Sequence, residues 1–376
     1  MKIIIVNCFD TYEERIDMVA NYYNSKGYEV KVVCSTFQHI NKEYREKNKK
    51  DYYYIDALAY KKNLSLKRLI SHYKFGKEAF KYVKKENPNL LYVAVPPNSL
   101  VKFASNYKKK NSDVKIIFDI IDLWPETMPK LNFIFNPIFN IWKNLRTKNI
   151  KSADFVITEC NYYQKYLLDE LVGVDTQTLY LSKLKSGLDK SKTLNFDEII
   201  FCYLGSINNI IDINRITKLL AEINQFKPVK INIIGDGEKK DFFIQELKNK
   251  QIEVTYYGKI FQQETKQQIF NASHFGINIM KETVEVALTM KSLDYFEGAL
   301  PIVNNIKGDT TEIINTHKIG FNMTDNNCKD AENILNLSPT SYYKMQYRVS
   351  KVFDDLFSTD KFVEKMDIIN EEIKGK

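Results

Sequence analysis

The stretch MKSLDYFEGALPIVNN, residues 290–305, joins a helical pattern to a strand-like run that begins after Pro301. The same order of helix and strand continues on both sides of it. Strand-like runs in this half of the chain lie at residues 198–205, 229–237, 252–258, 274–280 and 300–305. Continuous Val/Ile-rich strands that alternate with helices predict a parallel sheet covered by helices on both faces.

The first half of the chain has the same rhythm. Its strand-like runs lie at residues 2–7, 28–35, 90–95, 114–120 and 153–159. The polar stretch 182–198 reads as a linker, and the tail from about 341 to 376 reads as two helices. The sequence therefore predicts an α/β fold of two Rossmann-like, doubly wound domains that face each other across a cleft. Their predicted bounds are 1–185 and 196–350, with a C-terminal helix at about 356–376 that can pack back on the first domain.

Composition narrows the class of protein. The 376 residues are 44% hydrophobic, which suits two packed cores, and the five cysteines are scattered without any CxxC pair. A disulfide framework or zinc site is therefore not expected, and a reducing cytoplasm is the natural compartment. No uncharged stretch approaches the roughly 20 residues that cross a bilayer. We expect a cytoplasmic protein that is at most peripheral on the inner face of the membrane.

Three strand-end loops of the second half carry small or polar residues. They contain Gly205 and Ser206, Asp236 between two glycines, and Lys259 and Ile260 after a further glycine. Glycine allows close approach of the backbone to a ligand, and the start of a following helix favours anions. Each loop alone is compatible with ordinary turn chemistry, but three at one sheet edge favour a binding site.

The opening stretch supplies a fourth loop. A helix is predicted to start near Thr289 and Met290, with Lys291 in its first turn and Asp294 one turn further along the same face. Helix-start amides and a lysine suit a diphosphate, and a carboxylate accepts two hydrogen bonds from a ribose diol. The alternative is a simple Lys291–Asp294 surface ion pair.

Residues 203–322 resemble the donor half of GT-B glycosyltransferases, in which strand–Gly, "GDG" and "YG-x-I" segments precede a "P-S-K-x-x-E-Y-x-x-x-x-P" block. That block reads TMKSLDYFEGALP here, with Asp294 at the position of the acid. The resemblance implies that Asp294 binds the donor ribose and that Lys259 and Ile260 contact the base through backbone atoms. It also implies a nucleotide-sugar donor, UDP-linked in our expectation, as substrate and no resident cofactor.

Two departures from the family pattern stand out. The Arg and Lys that often clamp the diphosphate would fall at Ser206 and Ile211, so Arg215 or Lys291 would have to replace them. The first Glu of the E-x7-E signature would fall at Val286, next to Glu285. Since that Glu belongs to retaining members, the stereochemical outcome stays open.

The stretch FDIIDLWPETMP, residues 118–129, gathers acids and an aromatic residue after a strand of the first half. It resembles the "D-x-x-D-x-W-P-E" block of polysaccharide-building members of the same superfamily. Asp119 and Trp124 are predicted to bind the acceptor sugar, and Asp122 and Glu126 are the candidates for a general base. The structural alternative makes Trp124 a core residue and Asp122 a helix N-cap.

Asp10, Arg15 and His39 follow the first two strands and are further acceptor-site candidates, although Asp10 could equally cap a helix. No metal-ligand spacing is present, so a metal-independent enzyme is expected. The basic run 61–85 and the aromatic run 130–148 could together dock on an anionic membrane, or could be ordinary core with solvated lysines.

The leading functional prediction is a glycosyltransferase that extends a bacterial surface polysaccharide, such as capsule or exopolysaccharide, on a lipid-linked or oligosaccharide acceptor. A sugar-nucleotide 2-epimerase and a non-catalytic GT-B-like partner of a transferase are the alternatives. Nucleic-acid binding is not expected, because no recognition module accompanies the basic run.

Overall fold

The structure is a computed structural model that describes residues 1–63, 65–127, 136–284 and 286–375. The chain forms two compact units. The first comprises Met1–Leu181 together with Phe362–Lys376, and the second comprises Ser182–Lys361. The predicted linker 182–198 belongs to the second unit, where the ammonium of Lys192 donates to the carbonyl oxygens of Phe270 and Ser273, 2.8 Å from each.

The described part of the first unit contains a seven-stranded parallel sheet with the order β3-β2-β1-β4-β5-β6-β7. The strands are β1 (Lys2–Asn7), β2 (Glu29–Ser35), β3 (Tyr52–Ile55), β4 (Leu90–Val95), β5 (Lys115–Ile120), β6 (Phe155–Thr158) and β7 (Asp175–Thr178). The helices are α1 (Glu13–Ser25), α2 (Leu66–Glu86), α3 (Ser99–Lys108), α4 (Asn136–Thr147) and α5 (Asn161–Tyr166).

Both faces of this sheet are buried, as continuous apolar strands require. Ile4 and Val6 of β1 pack into one core, and Ile3 and Ile5 pack into another on the opposite face. Helix α13 (Thr359–Lys374) contributes to the second of these cores. Its side chains there are Phe362, Met366, Ile369 and Ile373.

The second unit contains a six-stranded parallel sheet with the order β10-β9-β8-β11-β12-β13. The strands are β8 (Ile199–Leu204), β9 (Val229–Ile234), β10 (Glu253–Gly258), β11 (Phe275–Asn278), β12 (Ile302–Asn304) and β13 (Gly320–Asn322). The helices are α6 (Ile213–Asn224), α7 (Lys240–Asn249), α8 (Gln263–Asn271), α9 (Met290–Glu297), α10 (Asp309–His317), α11 (Asn327–Leu335) and α12 (Pro339–Val352).

Two helix-covered parallel sheets confirm the predicted α/β fold class. Every predicted strand is present, but β3, β7 and β13 were missed. Each of the three is a short strand at the edge of its sheet, paired on one side only. Edge strands are incompletely buried, so they need no continuous apolar run and leave a weak signal in the sequence. Among the described residues, no helix is long and apolar enough to cross a membrane.

Candidate functional site

The strand-end loops of the second unit are held together by backbone hydrogen bonds. Gly205 donates to the carbonyl of Ile234 at 2.9 Å, and Gly235 donates to the carbonyl of Gly258 at 2.7 Å. A Cβ on Gly235 would lie 1.9 Å from the carbonyl oxygen of Gly205, and Gly235 has φ +144°. Only glycine allows this approach of two backbones at a positive φ. The loops after β8, β9 and β10 therefore form one continuous surface at the carboxyl edge of the sheet.

Helix α9 starts from a buried polar network at the same edge. Thr289 is its N-cap and accepts a hydrogen bond from the amide of Ser292 at 3.3 Å. Asn278, at the end of β11, donates to the Ser292 hydroxyl at 2.9 Å and accepts from Thr289 at 3.2 Å. Since all three side chains are buried and bonded to each other, the first turn of α9 is fixed in position.

Lys291 lies in that first turn and is only 9% exposed. Its ammonium lies 5.0 Å from the centre of the Tyr203 ring and forms no ion pair or hydrogen bond with any residue that the structure describes. Burial lowers its pKa from the usual 10.5 to about 8. Tyr203 in turn donates to the carbonyl of Ser206 at 2.8 Å, which places the cation beside the loop after β8. A buried cation without a counterion is a site prepared for an anion.

Asp294 pairs with two other lysines instead of Lys291. Lys183 and Lys266 both donate to its Oδ1, at 2.6 and 2.7 Å. The carboxylate is half-buried. The alternative of a Lys291–Asp294 surface pair is therefore wrong. Lys183 and Lys266 could not be predicted from the sequence, because both are remote from Asp294 along the chain and neither belongs to a recognisable motif.

The remaining predicted donor residues have varied surroundings. Arg215 donates to the carbonyl of Thr324 at 2.7 Å and lies 3.4 and 3.6 Å from the exposed carboxylates of Glu282 and Asp325. Its role in place of the missing clamp stays a prediction. Ser206, Asp236, Lys259 and Met290 are exposed, and Ile260 is half-buried. Val286 is half-buried, and Glu285 lies outside the described residues.

In the first unit, Asp119 and Arg15 form a buried bidentate ion pair with distances of 2.7 and 2.8 Å. Tyr92 adds a hydrogen bond to the same carboxylate at 2.6 Å, and Arg15 also donates to the carbonyl of Leu179 at 2.9 Å. The carboxylate is 0% exposed, and its attraction keeps the pKa of Arg15 above its ordinary value despite the opposing effect of burial. The assignment of Asp119 and Arg15 to acceptor binding is corrected, because both are saturated inside the domain.

Glu126 is likewise committed to an ion pair. Its carboxylate accepts from Arg146 at 2.5 and 3.2 Å, and the Arg146 side chain is 0% exposed. Both oxygens of this carboxylate are engaged by the guanidinium in a bidentate pair, which holds the side chain in place. The structure thus assigns Glu126 to the scaffold of the loop after β5, in place of the catalytic base that the sequence suggested.

Asp122 differs from both of these carboxylates. It is half-buried and accepts hydrogen bonds from the Thr127 hydroxyl, at 2.7 Å, and from the backbone of Leu123. Burial raises its pKa, against the lowering effect of those hydrogen bonds. A carboxylate whose pKa is raised is a stronger base and is better suited to accept a proton. Asp122 therefore stays the candidate base.

The remaining acceptor candidates are Asp10, His39 and Trp124, and each contacts other side chains or backbone of the first unit. Asp10 accepts a hydrogen bond from the backbone amide of His39 at 2.6 Å, and the His39 ring lies 2.6 Å from the Tyr60 hydroxyl. Burial lowers the pKa of His39 to about 4, so the ring is neutral at pH 7. Trp124 is buried beneath the Arg68 guanidinium, which lies 5.0 Å from its ring.

Within the described residues, no cluster of three or more His, Cys, Asp or Glu side chains could hold a metal ion.

No protein-family model matches the chain, and no curated protein matches it in sequence. Solved structures do match. Sucrose-phosphate synthase from Thermosynechococcus elongatus aligns over 100% of this chain and 99% of that one, with 12% identity and a TM-score of 0.73. The apo form of the lipopolysaccharide outer core galactosyltransferase WaaB aligns over 100% and 99%, with 13% identity and a TM-score of 0.67. Anabaena HepE, in complex with UDP, aligns over 99% and 100%, with 14% identity and a TM-score of 0.66. At these identities the likeness shows the fold, which is GT-B.

Proposed function

We propose that this protein is a glycosyltransferase that moves a sugar from a UDP-sugar to a saccharide acceptor. The observation that carries the proposal is Lys291, a buried ammonium without a counterion in the first turn of α9. It lies in the same short helix as Asp294, and the glycine loops after β8 to β10 end at the same sheet edge. The fold shared with nucleotide-sugar enzymes, among them a structure that holds UDP, supports this reading.

In the proposed complex, the diphosphate is held by Lys291 and the free amides at the start of α9. Charge on the departing phosphate oxygens grows as the bond to the sugar breaks, so a fixed cation there stabilises the transition state more than the ground state. This arrangement would serve the reaction without a metal. Retained activity in the presence of EDTA is the expected result.

Asp294 is proposed to bind the ribose diol. Both lysines donate to Oδ1, and the described residues place no hydrogen bond on Oδ2. Oδ2 is therefore available as an acceptor for the ribose hydroxyls. The two lysines hold the carboxylate in one orientation, which is the role that supporting residues play around a binding group.

In the proposed reaction the acceptor hydroxyl oxygen forms a bond to the anomeric carbon. The bond between that carbon and the diphosphate breaks, and the electron pair leaves with the nucleoside diphosphate. The hydroxyl proton passes to the Asp122 carboxylate, whose pKa is raised by burial. Inverting and retaining outcomes are both compatible with this balance.

A lipid-linked acceptor in bacterial surface polysaccharide synthesis, at the cytoplasmic face of the membrane, is the proposed setting. Helix α2 supports it, because Leu66, Ile70 and Tyr73 are exposed on a helix that also exposes Lys67 and Lys74. Exposed apolar side chains among lysines favour an anionic membrane interface. Of the aromatic run 130–148 that was expected to join this surface, residues 130–135 lie outside the described residues. Flotation with liposomes that contain or lack anionic lipid tests the setting, and equal recovery in both would contradict it.

Thermal-shift screening against UDP-, GDP-, ADP-, CMP- and dTDP-sugars tests the proposed function. The donor that stabilises the protein is then used to compare the turnover of the wild type with that of Lys291→Met. A UDP-sugar that stabilises the wild type but not the variant, with release of UDP, is expected. Failure to bind any nucleotide would instead favour the non-catalytic partner. Conversion of the donor to its 2-epimer would favour the epimerase.

A further inference from the structure

Six residues lie at the carboxyl end of the first sheet, and we call them the Arg68 cluster. They are Arg68, His72, Asn98, Ser99, Trp124 and Trp142, and all of them are buried. The His72 ring lies 6.3 and 6.4 Å from the two indoles, which are 5.8 Å apart. The Asn98 amide donates to the backbone carbonyls of Trp124 at 2.8 Å and Trp142 at 3.2 Å, which joins the loop after β4 to the loop after β5 and to α4.

The Arg68 cluster has an unusual share of unused polar atoms. In the part of the chain that the structure describes, twelve buried side-chain polar atoms lack a hydrogen-bond partner, and seven belong to these six residues. They are the Nε of Arg68, both ring nitrogens of His72, the Oδ1 of Asn98, the Oγ of Ser99 and the two indole nitrogens. Buried polar groups are normally paired, so seven in one place require an explanation.

Arg68 carries the only formal charge of the cluster, because burial lowers the pKa of His72 well below its ordinary value. The guanidinium lies over the rings of Phe9, Tyr60 and Trp124 at 5.5, 6.0 and 5.0 Å. Its Nη1 donates to the carbonyl of Asn63 at 2.8 Å, and among the described residues it forms no ion pair. The N–H groups of a guanidinium match the oxygens of a carboxylate or phosphate, and here the Nε of Arg68 has no hydrogen-bond partner.

We propose that the Arg68 cluster recognises an acidic sugar unit of the acceptor, with its carboxylate or phosphate on Arg68. This inference rests on the proposed function and names the class of acceptor. Neutral His72 has one donor and one acceptor nitrogen, while Asn98 Oδ1 and Ser99 Oγ add further acceptors, which together match ring hydroxyls. The two indoles supply apolar surface with N–H donors, which suits the face and edge of a sugar ring. The donor residues, in contrast, all belong to the second unit.

Tryptophan fluorescence can report ligand binding at the Arg68 cluster. The chain's only two tryptophans, Trp124 and Trp142, are both in the Arg68 cluster, so intrinsic tryptophan fluorescence reports on the cluster alone. Full-length protein is titrated with methyl glucuronide, with glucose 1-phosphate and with neutral methyl glucoside, each with and without UDP. A saturable change with an acidic sugar and at least tenfold weaker binding of the neutral glucoside is expected. The first two arms distinguish a carboxylate from a phosphate.

Arg68→Met is the decisive variant, and Arg45→Met is its matched control. Arg45 also lies over a tyrosine ring, 5.4 Å from Tyr54, but its guanidinium is already bonded to Glu13 and to the Ser35 carbonyl. Arg68→Met should weaken acidic-sugar binding at least tenfold, whereas Arg45→Met should leave it unchanged. Calorimetric UDP binding should be the same in both variants.

The stability of Arg68→Met provides a second test. A residue kept for a ligand, with a buried charge and no ion-pair partner, is not needed for folding, so Tm should stay equal or rise. A marked fall in Tm would show a structural role and overturn the inference.

UDP binding without any fluorescence response to either acidic sugar would also overturn it, while leaving the proposed function intact. A fluorescence response to an acidic sugar in a protein that binds no nucleotide would instead contradict the proposed function and support the Arg68 cluster as a binding site.

Discussion

The replacement of Lys291 by methionine tests the reasoning about the donor site most directly. Methionine keeps the length and apolar stem of the side chain and removes only the charge. In the wild type, Lys291 is 9% exposed and its ammonium has no counterion among the described residues. The variant should therefore be more stable than the wild type when no ligand is bound, and less able to bind a nucleoside diphosphate.

The magnitude follows from the pKa. Burial lowers the pKa of Lys291 from 10.5 to about 8. At about 1.36 kcal/mol per pKa unit, the charged form costs the folded state roughly 3 kcal/mol. Below pH 8, Lys291 is protonated in both the folded and unfolded states and the full cost applies. Between pH 8 and 10.5 the folded side chain is neutral while the unfolded one is still charged, so the cost falls with rising pH and is gone above 10.5.

Urea unfolding at several pH values between 7 and 11 measures this difference. Lys291→Met should be more stable by up to about 3 kcal/mol at pH 7, and the gain should disappear by about pH 10.5. Lys250→Met is the matched control, because Lys250 is an exposed lysine of the same unit. That substitution should change the free energy of unfolding by no more than about 0.5 kcal/mol at any pH.

Calorimetry with UDP supplies the other half of the test. A charge-assisted hydrogen bond contributes about 1.5–3 kcal/mol, so the dissociation constant should rise roughly ten- to hundredfold in Lys291→Met. A variant that is less stable than the wild type at pH 7, or that binds UDP equally well, would refute the assignment of Lys291 as an anion-binding residue.

Three further predictions address other residues of the two units. Asp294→Asn should weaken UDP binding about tenfold, because the amide replaces an anionic acceptor of the ribose hydroxyls, and unchanged calorimetric affinity would count against that role. Glu126→Gln should lower the free energy of unfolding by about 3 kcal/mol, because the buried Arg146 guanidinium loses its bidentate partner and keeps only the 3.5 Å contact with Glu170. Asp122→Asn should instead reduce turnover with little change in denaturation midpoint. The opposite pattern would restore Glu126 as the base. Gly235→Ala should lower the free energy of unfolding by at least about 3 kcal/mol, because the new Cβ collides with the backbone at a positive φ. Gly27→Ala is the control and should cost about 1 kcal/mol, since its Cβ would meet nothing within 4 Å. Equal denaturation midpoints of the two variants would disprove the close approach at Gly235.

The sequence determined the layered fold and the order of its elements. Val/Ile-rich strands such as β1 and β8 can be predicted from composition, because each must be apolar on both faces to lie inside a helix-covered sheet. The glycine loops and the start of α9 were also predictable. They depend on backbone conformation and capping, which residues near each other in the chain control.

Only the tertiary structure decided which charges meet. Arg15 and Asp119 are 104 residues apart in the chain, yet they saturate each other. Asp294 was expected to face either a ribose or Lys291, and its partners are Lys183, 111 residues away, and Lys266.

The Arg68 cluster is likewise built from α2, α4 and two strand-end loops that no local pattern connects. The physical reason is the same in each case. Periodicity and capping act between neighbours along the chain, whereas ion pairs and buried polar clusters form between side chains that the topology brings together.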